Sequence, residues 1–125
     1  MPLRILDVGQ CGIDGPRLTK LLENNLKAEV DHAATADEAR DKLSAGQYDV
    51  ALFNRVFNAD GDDGVRVIGE LVKGGVKTPM MLVSDRGDAQ EAAVAAGAKK
   101  GFGKAAMHEP ATLELIRKAA GGTPN

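Results

Sequence analysis

The polar side chains of this chain that could do chemistry stand just after short apolar runs. They are Gln10, Asn54, Ser84 and Lys104. They offer two amides, a hydroxyl and an amine, but no carboxylate pair for Mg²⁺ and no nucleophile with a neighbouring base. These residue types favour a binding role over catalysis, and we expect no enzyme activity.

Asp7 is unusual because it lies inside the first apolar run, from Leu3 to Val8. A bare carboxylate is costly to bury. Strand alternation places it on the same face as Gly9, so it could approach Lys104 and act as a surrogate acid. The alternative is a structural aspartate held by hydrogen bonds.

The remaining metal-ligand residue types do not have the spacing of a metal site. Cys11, His32 and His108 are far apart, so we expect no zinc, and no neighbouring cation activates the Cys11 thiol.

An acidic loop follows Asn54. It contains Asp60, Asp62 and Asp63. Such a loop is either a surrogate metal site or, as we favour, a solvated surface. We expect neither a bound metal nor a cofactor.

Length, charge and composition exclude several function classes. A chain of 125 residues suits one domain, which we place at 1–121 with a disordered tail at 122–125. A net charge of -2 and an aromatic content of 3% predict no nucleic-acid partner. No apolar run is long enough to span a membrane. The single cysteine suits a reducing cytoplasm.

Two periodicities alternate along the chain and predict five strands and five helices. Short apolar runs predict strands at Leu3–Val8, Ala28–Ala33, Asp49–Phe53, Pro79–Val83 and Lys100–Phe102. Helical patterns separate them, and the second helix opens with a capping box from Thr35 to Glu38. Alternation of this kind predicts an α/β fold with a parallel sheet covered by helices on both faces. The working site of such a sheet lies at the carboxyl ends of its strands.

Five segments in the correct order carry a resemblance to a known family. They are Tyr48–Asn54, Asp63–Val65, Thr78–Ser84, Ala96–Ala98 and Gly101–Lys104. Over almost its whole length the chain resembles the CheY-like receiver domain of two-component response regulators. The resemblance implies a doubly wound, flavodoxin-like sheet of order 2-1-3-4-5 flanked by five helices.

The chain departs from the family at the positions that carry phosphotransfer. The resemblance places the Mg²⁺-binding acidic pair at Gly9 and Gln10, and the phosphate-accepting aspartate at Asn54. An amide cannot become an acyl phosphate, and without carboxylates Mg²⁺ is not held. We therefore expect an atypical pseudo-receiver that is not phosphorylated.

Three positions of the family's switch are retained. The resemblance assigns them to Ser84, Phe102 and Lys104. They either help to set a fixed, partly active-like conformation or remain as relics. In the second case Lys104 would bond Asn54 or a loop carbonyl, and Phe102 would simply pack in the core.

The resemblance also implies how such a domain would act. We expect a signalling adaptor that binds a partner protein, or a second copy of itself, through the face of the fourth helix, fifth strand and fifth helix. This face includes Gln90, Val94, Lys99, Lys100, Met107 and the segment from Glu114 to Lys118. The alternative is a sensor of a small ligand or anion in the vacated phosphorylation cleft.

Overall fold

The structure, a computed structural model, describes residues 2–121 as a parallel sheet between two layers of helices. The strands are β1 (Arg4–Val8), β2 (Glu29–Ala33), β3 (Val50–Asn54), β4 (Met80–Val83) and β5 (Lys99–Phe102). The helices are α1 (Asp14–Leu26), α2 (Ala36–Ala45), α3 (Gly64–Lys73), α4 (Gly87–Ala95) and α5 (Pro110–Gly121), and a 3-10 turn spans Lys104–Ala106. The strand order is β2-β1-β3-β4-β5, so the predicted fold class is confirmed. The tail predicted at 122–125 lies outside the described residues.

The sheet is central because its three inner strands are apolar on both faces. Every residue of β3 and β4 is buried, as a strand covered on both sides requires. One face packs against α2, α3 and α4, and the other packs against α1 and α5, whose core residues include Leu18, Leu22 and Ile116. No described helix is long and apolar enough to cross a membrane.

The capping box predicted at the start of α2 is present. The Thr35 hydroxyl accepts a hydrogen bond from the Glu38 amide at 3.2 Å. The Glu38 carboxylate returns to the Ala34 amide at 2.8 Å, one residue earlier than in the standard box. These bonds fix the direction in which the chain leaves β2.

Candidate functional site

A cleft of about 370 Å³ opens at the carboxyl ends of β3, β4 and β5. It is lined by Asn54, Arg55, Val56, Val83, Ser84, Asp85, Arg86 and Lys104. Three of the residues predicted from the sequence therefore meet here, namely Asn54, Ser84 and Lys104. The contacts of their side chains decide what the cleft can do.

The Asn54 amide is fully engaged with neighbouring backbone. Its nitrogen donates to the carbonyl oxygens of Gly9 at 3.1 Å and Val56 at 2.8 Å. Its oxygen accepts the Arg55 amide at 3.0 Å. The side chain thus ties the end of β3 to the loop after β1. A carboxylate here could not donate either of the first two bonds.

Lys104 is paired with an acid that the sequence analysis did not single out. Its Nζ lies 2.8 Å from the Oδ2 of Asp14, the first residue of α1. The expectation that Lys104 bonds Asn54 or a loop carbonyl is therefore wrong. The hydrogen bond from Lys104 lowers the pKa of Asp14, although partial burial opposes the shift. Asp14 is the first carboxylate after β1, which is the signal that could have identified it.

The positions expected for an acidic pair, Gly9 and Gln10, carry no carboxylate. Gly9 has a φ of +79°, and a Cβ built there would lie 2.4 Å from the Phe57 ring. Phe57 is buried and packs against Phe53 with their ring centroids 6.5 Å apart. An aromatic ring therefore occupies the space beside Gly9, and the nearby Gln10 and Asn54 bring amides where a hard cation prefers carboxylates.

The acidic loop has its carboxylates engaged in local structure. Asp63 caps α3 by accepting the Val65 amide at 3.0 Å. Asp62 pairs with Arg66, whose hydrogen bond lowers the pKa of Asp62, and Asp60 accepts the Asp62 amide at 3.0 Å. Within residues 2–121, no three His, Cys, Asp or Glu side chains converge as a metal site would need. These contacts favour the surface role over the surrogate metal site.

The retained switch residues are packed inward. Ser84 is buried, and its hydroxyl accepts the Arg86 amide at 3.2 Å. Phe102 is 6% exposed and lies in the core cluster with Met81 and Val83. Both residues therefore take part in the packing around β4 and β5.

Two residues expected on the binding face of α4, β5 and α5 are not available there. Gln90 points into the sheet, where its Nε2 donates to the carbonyl of Leu82 at 2.9 Å and its Oε1 accepts the Gly101 amide at 3.2 Å. This side chain bridges the irregular register between β4 and β5. Met107 is 2% exposed. Both assignments are corrected: these residues stabilise the face from within.

Asp7 is buried without the hydrogen bonds expected of a structural aspartate in the part of the chain that the structure describes. It is 2% exposed, and its carboxylate has no hydrogen-bond partner among residues 2–121. The structural aspartate held by hydrogen bonds is thus not observed within this range, whereas the charge of Lys104 does act on Asp7, as the surrogate-acid alternative requires. Burial raises the pKa of Asp7 to about 7, although the nearby Gln10 side chain and the charge of Lys104 lower it. The Gln10 amide is also unbonded within the described residues, so the two side chains adjoin without hydrogen-bond geometry.

The other predicted residues near β1 are separate from the cleft. Cys11 is a free, half-buried thiol whose sulfur accepts the Asp14 amide at 3.3 Å. His32 lies beside Asp7 in the register of β1 and β2, and its Nε2 is 2.8 Å from the Thr19 hydroxyl. None of these residues lines the cleft that contains Asn54.

Comparison with known proteins gives a structural match only. No protein-family model matches the sequence, and no curated protein matches it significantly. A putative response regulator from Chloroflexus aurantiacus superposes with a TM-score of 0.83 at 20% identity, over 98% of this chain and 100% of that chain. The receiver domain of the Francisella response regulator 1452 gives a TM-score of 0.82 at 17% identity, over 98% of this chain and 99% of that chain.

A third solved structure agrees with these two. A CheY-like response regulator receiver domain protein from Methanospirillum hungatei has a TM-score of 0.75 at 22% identity, over 98% of this chain and 96% of that chain. With the observed strand order, these matches show that the chain has the CheY-like, flavodoxin-like fold of response-regulator receiver domains.

Proposed function

We propose that this chain is an atypical receiver module that acts in signal transduction by binding a partner protein without being phosphorylated. The observation that carries the proposal is the state of the cleft. Asn54 stands at the end of β3 with its amide bonded to two backbone carbonyls, and Lys104 is neutralised by Asp14. The carboxylate that would accept a phosphoryl group is thus absent, and the lysine that would contact it is already paired.

The binding face is assigned to α4, β5 and α5, with Gln90 and Met107 serving as its internal support. Exposed residues on it include Val94, which is 49% exposed, and Lys99 and Lys100 on β5. Lys118 adds a further exposed cation on α5. This charge complements a partner whose surface is acidic, with one apolar contact for Val94.

A mass measurement tests the phosphorylation-independent part of the proposal. The protein is incubated with acetyl phosphate and Mg²⁺, and the intact mass is recorded. We expect no phosphoryl adduct, because no carboxylate stands at position 54 and no acidic pair holds the cation. A phosphoryl group mapped to the cleft would overturn the proposal.

Charge reversal tests the binding face. A Lys99→Glu, Lys100→Glu variant should lose partners captured by the wild-type protein from a cell extract. A matched control, Arg40→Glu with Lys42→Glu, changes the same charge on exposed positions of α2 and should retain them. Equal loss in both variants would contradict the assigned face. Light scattering of the purified protein would reveal whether a second copy is the partner.

The alternative function is an anion sensor, favoured by the charge of the cleft. Arg55, Arg86 and Lys104 line it, against the single carboxylate of Asp85. Lys104 and Arg86 already have the acidic partners Asp14 and Asp88, which weakens this alternative. Titration with inorganic phosphate or sulfate distinguishes the two: saturable chemical-shift changes at the cleft would support the sensor, and their absence would support the adaptor.

A further inference from the structure

A second cavity of about 530 Å³ lies between α1 and the β1–β2 edge of the sheet. It shares no lining residue with the cleft that contains Asn54. Its lining includes Asp7 and His32 from the strands, Gln10 and Cys11 from the loop after β1, and Thr19 from α1. A cavity of this volume is in the range that accommodates a small organic molecule.

The polar groups in this cavity are unsatisfied, in contrast to those of the cleft. Asp7 is buried, and neither of its oxygens is bonded within the described residues. The same is true of the Gln10 amide. Buried polar groups without partners are uncommon in folded proteins, and each needs an explanation. A ligand that donates hydrogen bonds to Asp7 would explain why its oxygens have no partner within residues 2–121.

The charges around the cavity select the sign of such a ligand. Glu23 and, in its ionised form, Asp7 line it with negative charge, and Lys20 is the one cation that the described lining contains. The carboxylate of Asp7 would repel an anion. It would attract a cation, and this attraction would offset the free-energy cost of removing the two charges from water. Pro16, Ala33 and Ala34 offer an apolar wall on which the body of an organic ligand can pack.

We propose that this cavity binds a small organic cation, with its N–H groups donating to Asp7 and its apolar body lying against α1 and the end of β2. The ligand class is an amidinium, guanidinium or primary ammonium carried on a compact apolar group. Gln10 provides a second hydrogen-bonding site beside Asp7. The proposal goes beyond partner binding, because it concerns a different part of the molecule and holds whether or not the α4–β5–α5 face is correct.

Three probes that share one ring test the selection by charge. Benzamidine, benzamide and benzoate are titrated separately into the full chain, and backbone amide shifts are followed by NMR. We expect benzamidine to perturb residues around the cavity with a Kd of about 1 mM or tighter. Benzamide should bind at least about tenfold more weakly and benzoate not at all. Equal binding of the three, or no saturable change with benzamidine, would overturn the proposal.

Substitution of the buried carboxyl tests its role. Asp7→Asn is nearly isosteric and should weaken benzamidine binding by about tenfold or more. The control Glu91→Gln removes one negative charge from an exposed position on α4 and should leave the Kd unchanged. Unaltered binding in the Asp7→Asn variant would overturn the proposal.

Protection of Cys11 provides a readout that needs no variant. Cys11 lines the cavity, so bound benzamidine should slow its alkylation by iodoacetamide, and benzoate should not. A rate that is unchanged at saturating benzamidine would place the binding elsewhere and contradict the assignment.

Discussion

The cleft around Asn54 and the cavity around Asp7 differ in how their polar groups are satisfied. In the cleft, the Asn54 amide makes three hydrogen bonds to backbone, and Lys104 has an acidic partner. In the cavity, Asp7 and Gln10 make none within the described residues. The polar groups that stand in the cleft are thus satisfied by internal contacts. The uncompensated polar groups lie on the other side of β1, so the cavity is the better place to look for a ligand.

The pH dependence of stability offers the largest test of this contrast. Burial raises the pKa of Asp7 from 3.8 to about 7, so we expect the folded protein to keep this proton over a pH range in which the unfolded chain has lost it. The contribution of Asp7 to the free energy of unfolding is therefore largest at low pH. It falls as the pH rises through the interval from 3.8 to about 7. The free energy of unfolding should drop by roughly 4 kcal/mol across it.

Urea denaturation of the wild-type protein and the Asp7→Asn variant measures that loss. The Asp7→Asn variant should lack this pH-dependent contribution. The difference in the free energy of unfolding between the wild-type protein and the variant should therefore change between pH 5 and pH 8. Glu91→Gln serves as the control and should follow the wild-type curve. Parallel curves for the wild-type protein and Asp7→Asn would show that Asp7 has a partner. They would contradict the difference described between the cleft and the cavity.

Placing an acid at position 9 should have the next largest effect on the free energy of unfolding. Gly9→Asp adds a side chain at positive φ and forces its Cβ against the Phe57 ring. We expect a loss of about 3 kcal/mol in the free energy of unfolding. Gly12→Asp is the control, because a Cβ there meets nothing within 4 Å. If both substitutions cost the same in urea denaturation, the space beside Gly9 is not closed.

Placing an aspartate at position 54 should lower the free energy of unfolding somewhat less. Asn54→Asp removes the donor to the Gly9 and Val56 carbonyls and brings a carboxylate towards them. The free energy of unfolding should fall by about 2 kcal/mol. Asn58→Asp, at an exposed position of the following loop, should change it little. A stable Asn54→Asp variant that accepts phosphate from acetyl phosphate would show that only one residue separates this cleft from a working one.

The smallest effect is expected for the ion pair of Lys104 and Asp14. Both side chains are partly exposed, at 34% and 23%, so solvent screens their interaction. A double-mutant cycle with Asp14→Asn and Lys104→Met should give a small but measurable coupling of about 0.5 to 1 kcal/mol. A coupling close to zero would indicate that Lys104 is free to bind an anion and would strengthen the sensor alternative.

The fold and the main features of the cleft were predictable from the sequence. Short apolar runs separated by helical patterns determine the sheet, and Asn54, Ser84 and Lys104 meet at its edge because parallel strands end on the same side. The partner of Lys104 was predictable only in part: Asp14 is the first carboxylate after β1, but its distance from Lys104 depends on how α1 is placed over the sheet.

Side-chain direction explains the other errors. Gln90 has the polarity of a surface residue, yet it points inward because the register between β4 and β5 leaves backbone groups for it to bond. Asp7 was expected to find a partner, since burial of a bare carboxylate is costly. Its place in the first strand was predicted correctly, but no periodicity reveals the cavity beside it.

Phe57 has a consequence for how the sequence can change. Because its ring fills the space in which an acid at position 9 would stand, such an acid meets the ring unless a smaller residue replaces Phe57. The smaller residue alone would leave a void in the core, and the acid alone would collide with the ring. Each single step is costly in the absence of the other, so the order of substitutions matters. Introducing an acid at position 9 together with a smaller residue at position 57 therefore passes through at least one destabilised single variant.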